Sequence, residues 1–326
     1  MSDLNEFGVI QRYFKPSTPE GYIGVGDDCA VFPVRPGFQL AVSTDTLIEG
    51  QHFFADADPA TVGYKALAVG LSDLAAMGAR PRACVLALAL PRIDEAWLQA
   101  FSAGFLALAA QAGCPLVGGD TTRNPYGIVI TVTVFGEVPI AHALRRDLAL
   151  PNDDIWLSGT LGAPHLALRY LSGSYAPDAV KLAQCRPLLE RPEPPYALAP
   201  ALLEHAHAGI DISDGLLQDL SHILKASQCG ARLQWSALPI HPALAGLDEV
   251  IMQEAVLTGG DVFQLCFTAH PNERAYLLAL AAQQGVALSR IGTITIEPEL
   301  LVLDQSQNPI SLPAQGGFDH FSSKVL

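Results

Sequence analysis

The chain has 326 residues, long enough for two domains of ordinary size, each with its own core. Its formal charge of −14 excludes the Lys/Arg stripe that nucleic-acid binding requires. Six cysteines at 29, 84, 114, 185, 229 and 266, widely spaced and without a C-x-x-C pair, read as reduced core thiols of a cytoplasmic protein.

The opening stretch MSDLNEFGVIQRYF is acidic and amphipathic; it predicts a helix over 3–14 and lacks the basic region and apolar core of a signal peptide. GVGDDCAV then places Asp27 and Asp28 after glycines. A strand is expected at 39–44, with the Asp45 of STDT at its end, followed by a helix at 60–77. In the middle of that helix, within VGLSDLAAMGA, sits Asp73, whose neighbours one turn away are Val69, Gly70, Ala76 and Met77. A buried, unpaired carboxylate costs several kcal/mol, so Asp73 needs a metal ion, a base or hydrogen-bond donors, unless the helix breaks at Gly70 and Ser72 or Asp73 caps a new one.

A strand at 82–90 and a helix at 94–112 follow. The run Ala96–Gly119 carries no formal charge, but Gln99, Ser102, Gln111, Gly113 and Pro115 interrupt it, so it reads as a core helix, a turn and a short strand, not a membrane span. VGGD puts Asp120 at that strand's end, and the next strand is expected at 127–138. PIAHALRRDLALPN at 139–152 has weak periodicity and marks the expected boundary between domains 1–140 and 141–326. Beyond it are strands at 154–158, 208–212, 231–235, 262–268 and 287–294, and helices at 162–173, 195–206, 215–227 and 271–284. The Pro-rich RPLLERPEPPY at 186–196 reads as a loop feeding a helix. IDISDG places Asp211 and Asp214 where a strand meets a helix. Strands alternating with helices indicate α/β or α+β layering.

Each of these aspartates is flanked by Gly, Ser or Thr, which let a backbone approach a ligand closely. Any one of them has a bland explanation as a turn or cap residue; Asp214 in particular has the position to cap the helix beginning at Gly215. The recurrence of an apolar strand followed by aspartate is harder to explain that way. Carboxylates gathered in one cleft stay ionised only with cations between them, and oxygen ligands without His or Cys point to Mg²⁺, which holds substrate phosphates. The P-loop, kinase and G-x-S-x-G motifs are missing. The residues themselves lead to a metal-dependent, phosphate-handling enzyme.

The order GDDCAV, STDT…HF, KALA…SDLAAMGA, GGDTT, DISDGL and a late GFDHF closely resembles the thiamine-monophosphate kinase family, relatives of aminoimidazole ribonucleotide synthetase, selenophosphate synthetase and a hydrogenase maturation protein. The resemblance implies ATP-dependent phosphorylation of thiamine phosphate to thiamine diphosphate, with several Mg²⁺ ions and no general base. It also implies a two-domain α/β subunit: an N-terminal domain for ATP and Mg²⁺ binding, whose mixed sheet pairs into the barrel-like core of a homodimer, and a C-terminal α/β domain. By the same resemblance, Asp28, Ser43, Thr44, Asp45, Asp73, Asp120, Asp211 and Asp214 match metal ligands. Gly119, Asp120, Arg146 and Ser213 match nucleotide contacts, and His52, Asp261 and Phe318 match acceptor contacts.

The second half departs from the pattern. The family's G-G-E-D-Y-E-L is GGDVFQL here, and the small turn expected after Arg146 is DLALPNDD. Two other readings therefore stand beside the first. One is a related kinase or synthetase acting on another small phosphorylated acceptor. The other is a non-catalytic nucleotide-binding regulator, against which the intact acidic set argues.

Overall fold

The computed structural model describes residues 5–26, 28–313 and 317–318. Over these residues the chain forms two compact units, Met1–Leu74 with Ala79–His142, and Ala75–Gly78 with Ala143–Leu326.

The first unit is built on a four-stranded sheet of β1 (Phe38–Ile48), β2 (Arg80–Leu90), β3 (Leu116–Arg123) and β4 (Val129–Pro139), ordered β1-β4-β2-β3. Only the β2/β3 pair is parallel. Three helices accompany it: α1 (Glu6–Tyr13), α2 (Pro59–Ala76) and α3 (Glu95–Ala112). Asp94 caps α3 by accepting the Trp97 amide at 3.1 Å, and Leu98, Phe101, Phe105 and Leu108 recur at helical spacing on its buried face. Strand β1 alternates, so Leu47 is buried while Leu40, Val42 and Ile48 keep 42%, 55% and 43% of their surface exposed. On that open face Thr44 meets Thr133 at 2.8 Å and Thr46 meets Thr131 at 2.9 Å.

The second unit carries a six-stranded sheet of β5 (Asp154–Ser158), β6 (Ala208–Asp211), β7 (Gly230–Gln234), β8 (Leu265–Ala269), β9 (Leu288–Thr295) and β10 (Leu300–Leu303), ordered β10-β7-β9-β5-β8-β6. Its helices are α4 (Ala163–Leu171), α5 (Ala179–Glu190), α6 (Leu216–Ser227), α7 (Glu249–Leu257) and α8 (Arg274–Gln284). Strand β5 is buried throughout because both faces are covered: Ile155 and Leu157 join the core with α4 and α6, while Trp156 stacks on Phe267 and packs with Leu277 of α8.

Several expectations need correction. The strand at 39–44 runs on to Ile48, so Asp45 lies inside β1, and Asp120 likewise lies inside β3. Helix α2 passes through Gly70 unbroken, which removes the reading of Ser72 or Asp73 as a cap. The predicted helix at 195–206 is only a 3₁₀ turn at Ala199–Leu202, because Pro192, Pro194, Pro195 and Pro200 lack the amides an α-helix needs. The stretch 186–196 begins inside α5, which tolerates Pro187. Helices α5 and α7 and strand β10 had not been anticipated. Among the described residues, no helix is long and apolar enough to cross a membrane. The last two aspartates of DLALPNDD are structural: Asp153 accepts the Leu150 amide at 2.9 Å and pairs with His207 at 2.8 Å, and Asp154, 1% exposed, holds Arg274 and Arg290. Asp27 and the Asp319, His320 and Phe321 of GFDHF lie outside the described residues.

Candidate functional site

In the first unit, Asp28 sits exposed in a loop closed by the Ile23/Val31 bridge, whose amides and carbonyls meet at 2.8 and 3.0 Å. This segment is fastened to the sheet. Tyr22 stacks on Phe32 at 5.5 Å, Phe32 meets Phe135 edge-on, and Arg82 donates to the Tyr22 hydroxyl at 2.9 Å. Burial alone would raise the carboxyl pKa of Glu137, but the Arg35 hydrogen bonds at 2.5 and 3.0 Å, with the charges of Arg35 and Arg82, hold it below the usual value.

Asp73 is half-buried, not enclosed, and its partner comes from β1: the Ser43 hydroxyl donates to Asp73 Oδ2. Asp45, two residues on, shares Ser43's side of the strand, whereas the Thr44 hydroxyl is on the opposite face with Thr133. Paired residues set the rows: Asp45 aligns with Val132, Leu86 and Gly119, while Asp120 aligns with Ala87, Thr131 and Thr46. Strands β1 and β3 are the two edges of the sheet, three spacings or roughly 14 Å apart, so Asp120 stays away from Asp45 and Asp73 within one sheet. Gly119 is needed where it stands, since it has φ +155° and a Cβ would lie 1.9 Å from the Leu86 carbonyl oxygen. With Asp120, Ile10, Phe14 and Val25 it lines a cavity of about 40 Å³. His52 Nδ1 accepts the Ile48 amide at 3.0 Å, which leaves the ring proton on Nε2.

The second unit brings more of the expected residues together. Strand β6 ends at buried Asp211, and the turn Ile212–Gly215 leads into α6. The loop 259–264 lies against this turn: the Asp261 amide donates to Ser213 O at 2.8 Å, the Phe263 amide to Ile212 O at 2.7 Å, and the Ile212 amide to Gln264 O at 2.8 Å. A Cβ at Gly260 would lie 2.5 Å from Ser213 O, so the approach requires glycine. Asp261 and Phe263 have φ of +59° and +50°, a left-handed conformation that costs energy in a residue other than glycine and clusters at functional sites. From the end of the chain, the Phe318 amide donates to Asp214 O at 3.0 Å, and Gln218 Nε2 reaches both Asp214 Oδ2 at 3.2 Å and Phe318 O at 2.8 Å. Asp211, Ser213, Asp214, Asp261 and Phe318 thus belong to one constellation.

Asp214 does not cap α6; the N-cap is Gly215. The residue that the sequence reading missed is Asp219, 3% exposed, whose Oδ2 accepts the amides of Ser213, Asp214 and Gly215 at 3.0, 3.0 and 3.1 Å. Burial, reinforced by the charges of Asp214 and Asp211 and opposed by the amide bonds, pushes its carboxyl up to about 7. A carboxylate four residues into a helix gives little sign in sequence that it points backwards. Gln264, the altered position of GGDVFQL, accepts from the Ser158 hydroxyl at 2.7 Å and donates to Glu193 O at 3.0 Å, which ties the loop to its own sheet. Arg146 is exposed, and its carbonyl accepts the Ser227 hydroxyl at 2.8 Å.

Among the described residues, no three His, Cys, Asp or Glu side chains are grouped closely enough to hold a metal ion. The donors that do meet are oxygens, a carboxylate with a hydroxyl in the case of Asp73 and Ser43. That set fits Mg²⁺ in kind, since Mg²⁺ takes one or two carboxylates and completes its shell with phosphates and water.

Comparison with known proteins adds an independent finding. The family described as AIR synthase related protein, N-terminal domain, matches residues 26–138, and the corresponding C-terminal domain matches 128–303. A thiamine-monophosphate kinase of Escherichia coli O157:H7 is 42% identical over 98% of both chains. The crystal structure of thiamine-monophosphate kinase from Stenotrophomonas maltophilia K279a superposes with a TM-score of 0.81 at 43% identity, covering 87% of this chain and 91% of the other. A structure described as AaThiL complexed with AMPPCP and TMP gives a TM-score of 0.75 at 26% identity over 89% of each chain.

Proposed function

The chain belongs to the thiamine-monophosphate kinase family, among the AIR synthase related proteins, and from that premise we propose that it transfers the γ-phosphoryl group of ATP to thiamine phosphate, giving thiamine diphosphate. The observation that carries the reading is the constellation at the start of α6, where Ser213, matched to nucleotide, meets Asp261, and the adjoining Asp214 meets Phe318, both partners being matched to acceptor. Support also comes from the relative that holds AMPPCP and TMP together. Direct transfer needs two phosphates aligned and their repulsion cancelled; the acceptor is already an oxyanion near neutral pH, so no general base is required.

The residues divide the work by chemistry. Asp261 offers a carboxylate and Phe318 an aromatic face to the fixed positive charge of the thiazolium. In this reading His52, whose Nδ1 accepts the Ile48 amide, turns its Nε2 proton to the acceptor. Gly119, Asp120 and Ser213 serve the nucleotide, and exposed Arg146 contributes a guanidinium for its phosphates. Bound Mg²⁺ would supply neutralisation of the phosphate charges. Asp28, Ser43, Asp45, Asp73 and Asp120 of the first unit, and Asp211 and Asp214 of the second, are the residues that would hold it; the Thr44 hydroxyl, bonded to Thr133 on the other face of β1, would not.

A homodimer belongs to the same reading. The open face of the first unit's sheet exposes Leu40, Val42 and Ile48, and β1 and β3 leave edge amides and carbonyls for pairing. A second copy on that face would cover both. In the same reading, residues 1–140 serve ATP, Mg²⁺ and dimerisation, and 141–326 serve nucleotide and acceptor.

An acceptor panel tests the proposal. Purified chain with MgATP should convert thiamine phosphate to thiamine diphosphate, and thiamine or other phosphate monoesters should be converted far more slowly. Preference for another phosphorylated acceptor would transfer the reading to a related kinase; nucleotide binding without turnover on any acceptor would leave only a regulator.

A further inference from the structure

The start of α6 is organised unusually. A helix begins with amides that lack partners within it, and a side chain at the N-cap ordinarily accepts one of them. Here the N-cap is Gly215, with no side chain to offer, and the amides of Ser213, Asp214 and Gly215 all converge on a single oxygen, Asp219 Oδ2, at 3.0, 3.0 and 3.1 Å. Three consecutive N–H groups aimed at one point make an anion-binding concavity. In this chain the anion is internal. Asp219 occupies the concavity from within the helix, so these amides are already engaged and a substrate phosphate has to be held by other groups.

The carbonyl side of the same turn is fixed by different partners. Ser213 O accepts the Asp261 amide at 2.8 Å and Asp214 O accepts the Phe318 amide at 3.0 Å. The backbone between Ile212 and Gly215 is therefore clamped on two sides, by Asp219 through its N–H groups and by the acceptor-side segments through its carbonyls. Asp219 is 3% exposed and has no path to a ligand of its own.

We infer that Asp219 is a positioning residue of the phosphoryl-transfer site, setting the directions of the Ser213 and Asp214 side chains through the backbone amides it holds. It is not a ligand to metal or nucleotide. The inference rests on the function proposed above, and removing the clamp should affect turnover more than stability alone would explain.

Three variants test it, each examined on the full chain. Asp219→Asn keeps an oxygen that accepts amides but removes the charge; Asp219→Ala removes both. Asp248→Ala is the control, because it deletes an ordinary N-cap, that of α7, whose side chain accepts the Val250 amide at 2.9 Å. Amide hydrogen exchange without substrates reads the clamp directly. In Asp219→Ala the amides of Ser213, Asp214 and Gly215 should exchange about tenfold faster or more, while the rest of α6 is unchanged. Kinetics reads its consequence: kcat should fall about tenfold or more in Asp219→Ala and recover in part in Asp219→Asn, and the Mg²⁺ concentration for half-maximal rate should rise with the loss. Asp248→Ala should lower the melting temperature and leave both kinetic quantities as in wild type. Faster exchange at 213–215 with wild-type kcat and Mg²⁺ response would overturn the inference and leave the kinase reading intact. Unchanged exchange would overturn it at the structural step. If Asp219→Ala does not fold, Asp219→Asn decides alone: wild-type kinetics in that variant would mean the charge positions nothing. A wild-type chain that shows no turnover would instead remove the functional reading itself.

Discussion

Asp73 separates charge from packing most cleanly. It stands in an apolar helix, accepts the Ser43 hydroxyl and is half-buried. Asp73→Asn keeps volume and the acceptor oxygen, so circular dichroism should be unchanged, while kcat should fall on the order of 10²-fold or more if the carboxylate is one of those that would hold Mg²⁺. Near-normal turnover would make Asp73 a structural partner of Ser43. At the acceptor end, a cation–π contact is worth roughly 0.5–2 kcal/mol, so Phe318→Ala should raise the KM for thiamine phosphate by about two- to thirtyfold and leave that for ATP nearly unchanged. Equal losses for both substrates would mean that the Phe318 ring supports the local fold instead of meeting the acceptor, since the backbone bond to Asp214 survives the substitution. A third residue bears on pH. Glu254 is held down to about 2 from its usual 4.5 by the neighbouring His165 and by Arg169 at 2.6 Å, against the opposing effect of burial. His165 Nε2 accepts from Arg169 Nε at 3.3 Å and stands 3.6 Å from Glu254, so Arg169 is the direct partner of the carboxylate. A depressed carboxyl contributes stability above its unfolded pKa and loses it as pH falls through the folded value. The urea midpoint of wild type should therefore exceed that of Glu254→Gln near neutrality, with the gap closing between about pH 4.5 and 2. With the side chain 35% exposed, the effect is modest. A gap that persists at pH 2 would contradict the pairing.

Among the elements, those legible in the sequence were the ones with strong periodicity. Helix α3 was readable because its Asp94 cap and its Phe101/Phe105 spacing repeat one face, and β5 because the short apolar run Ile155–Trp156–Leu157, buried on both faces, follows a break at Pro151. Helices α5 and α7 were not. The first contains Pro187, which reads as a break, and the second is nine residues long with charges inside it. The aspartates were found one by one, but their grouping was not, because it depends on register. Residues 43 and 45 fall on one face of β1 and 44 on the other, and Asp120 is three strands away from all of them. Asp219 was invisible for a related reason, since nothing in DGLLQDL says that the second aspartate turns back on the first. The register also makes a prediction for the sheet. Val42 is 55% exposed on the open face, so on the proposed homodimer Val42→Asp should reduce the mass in light scattering from two chains to one and leave the secondary structure intact. A dimer that survives this substitution would place the interface elsewhere.

At the scale of the whole molecule, composition and family point to the same chemistry. The acidic balance, unsuited to nucleic acid, suits a cation-assisted site, and the two units each carry carboxylates that a purely structural role would not gather beside glycines and hydroxyls. Relatives across 98% of the chain carry the kinase name, and the departures in GGDVFQL are absorbed by the fold, with Gln264 bonded to Ser158 and Glu193 and with Asp261 retained as a carboxylate. The central claim is direct, metal-assisted transfer from ATP to thiamine phosphate. A single turnover with γ-labelled ATP, quenched in time and separated into protein, nucleotide and thiamine fractions, tests it most directly. The account predicts that label passes from ATP to thiamine diphosphate with one ADP formed per product, that no labelled protein accumulates, and that EDTA abolishes the transfer until Mg²⁺ is restored. Label on the protein, label released only as inorganic phosphate, or full transfer in excess EDTA would contradict it.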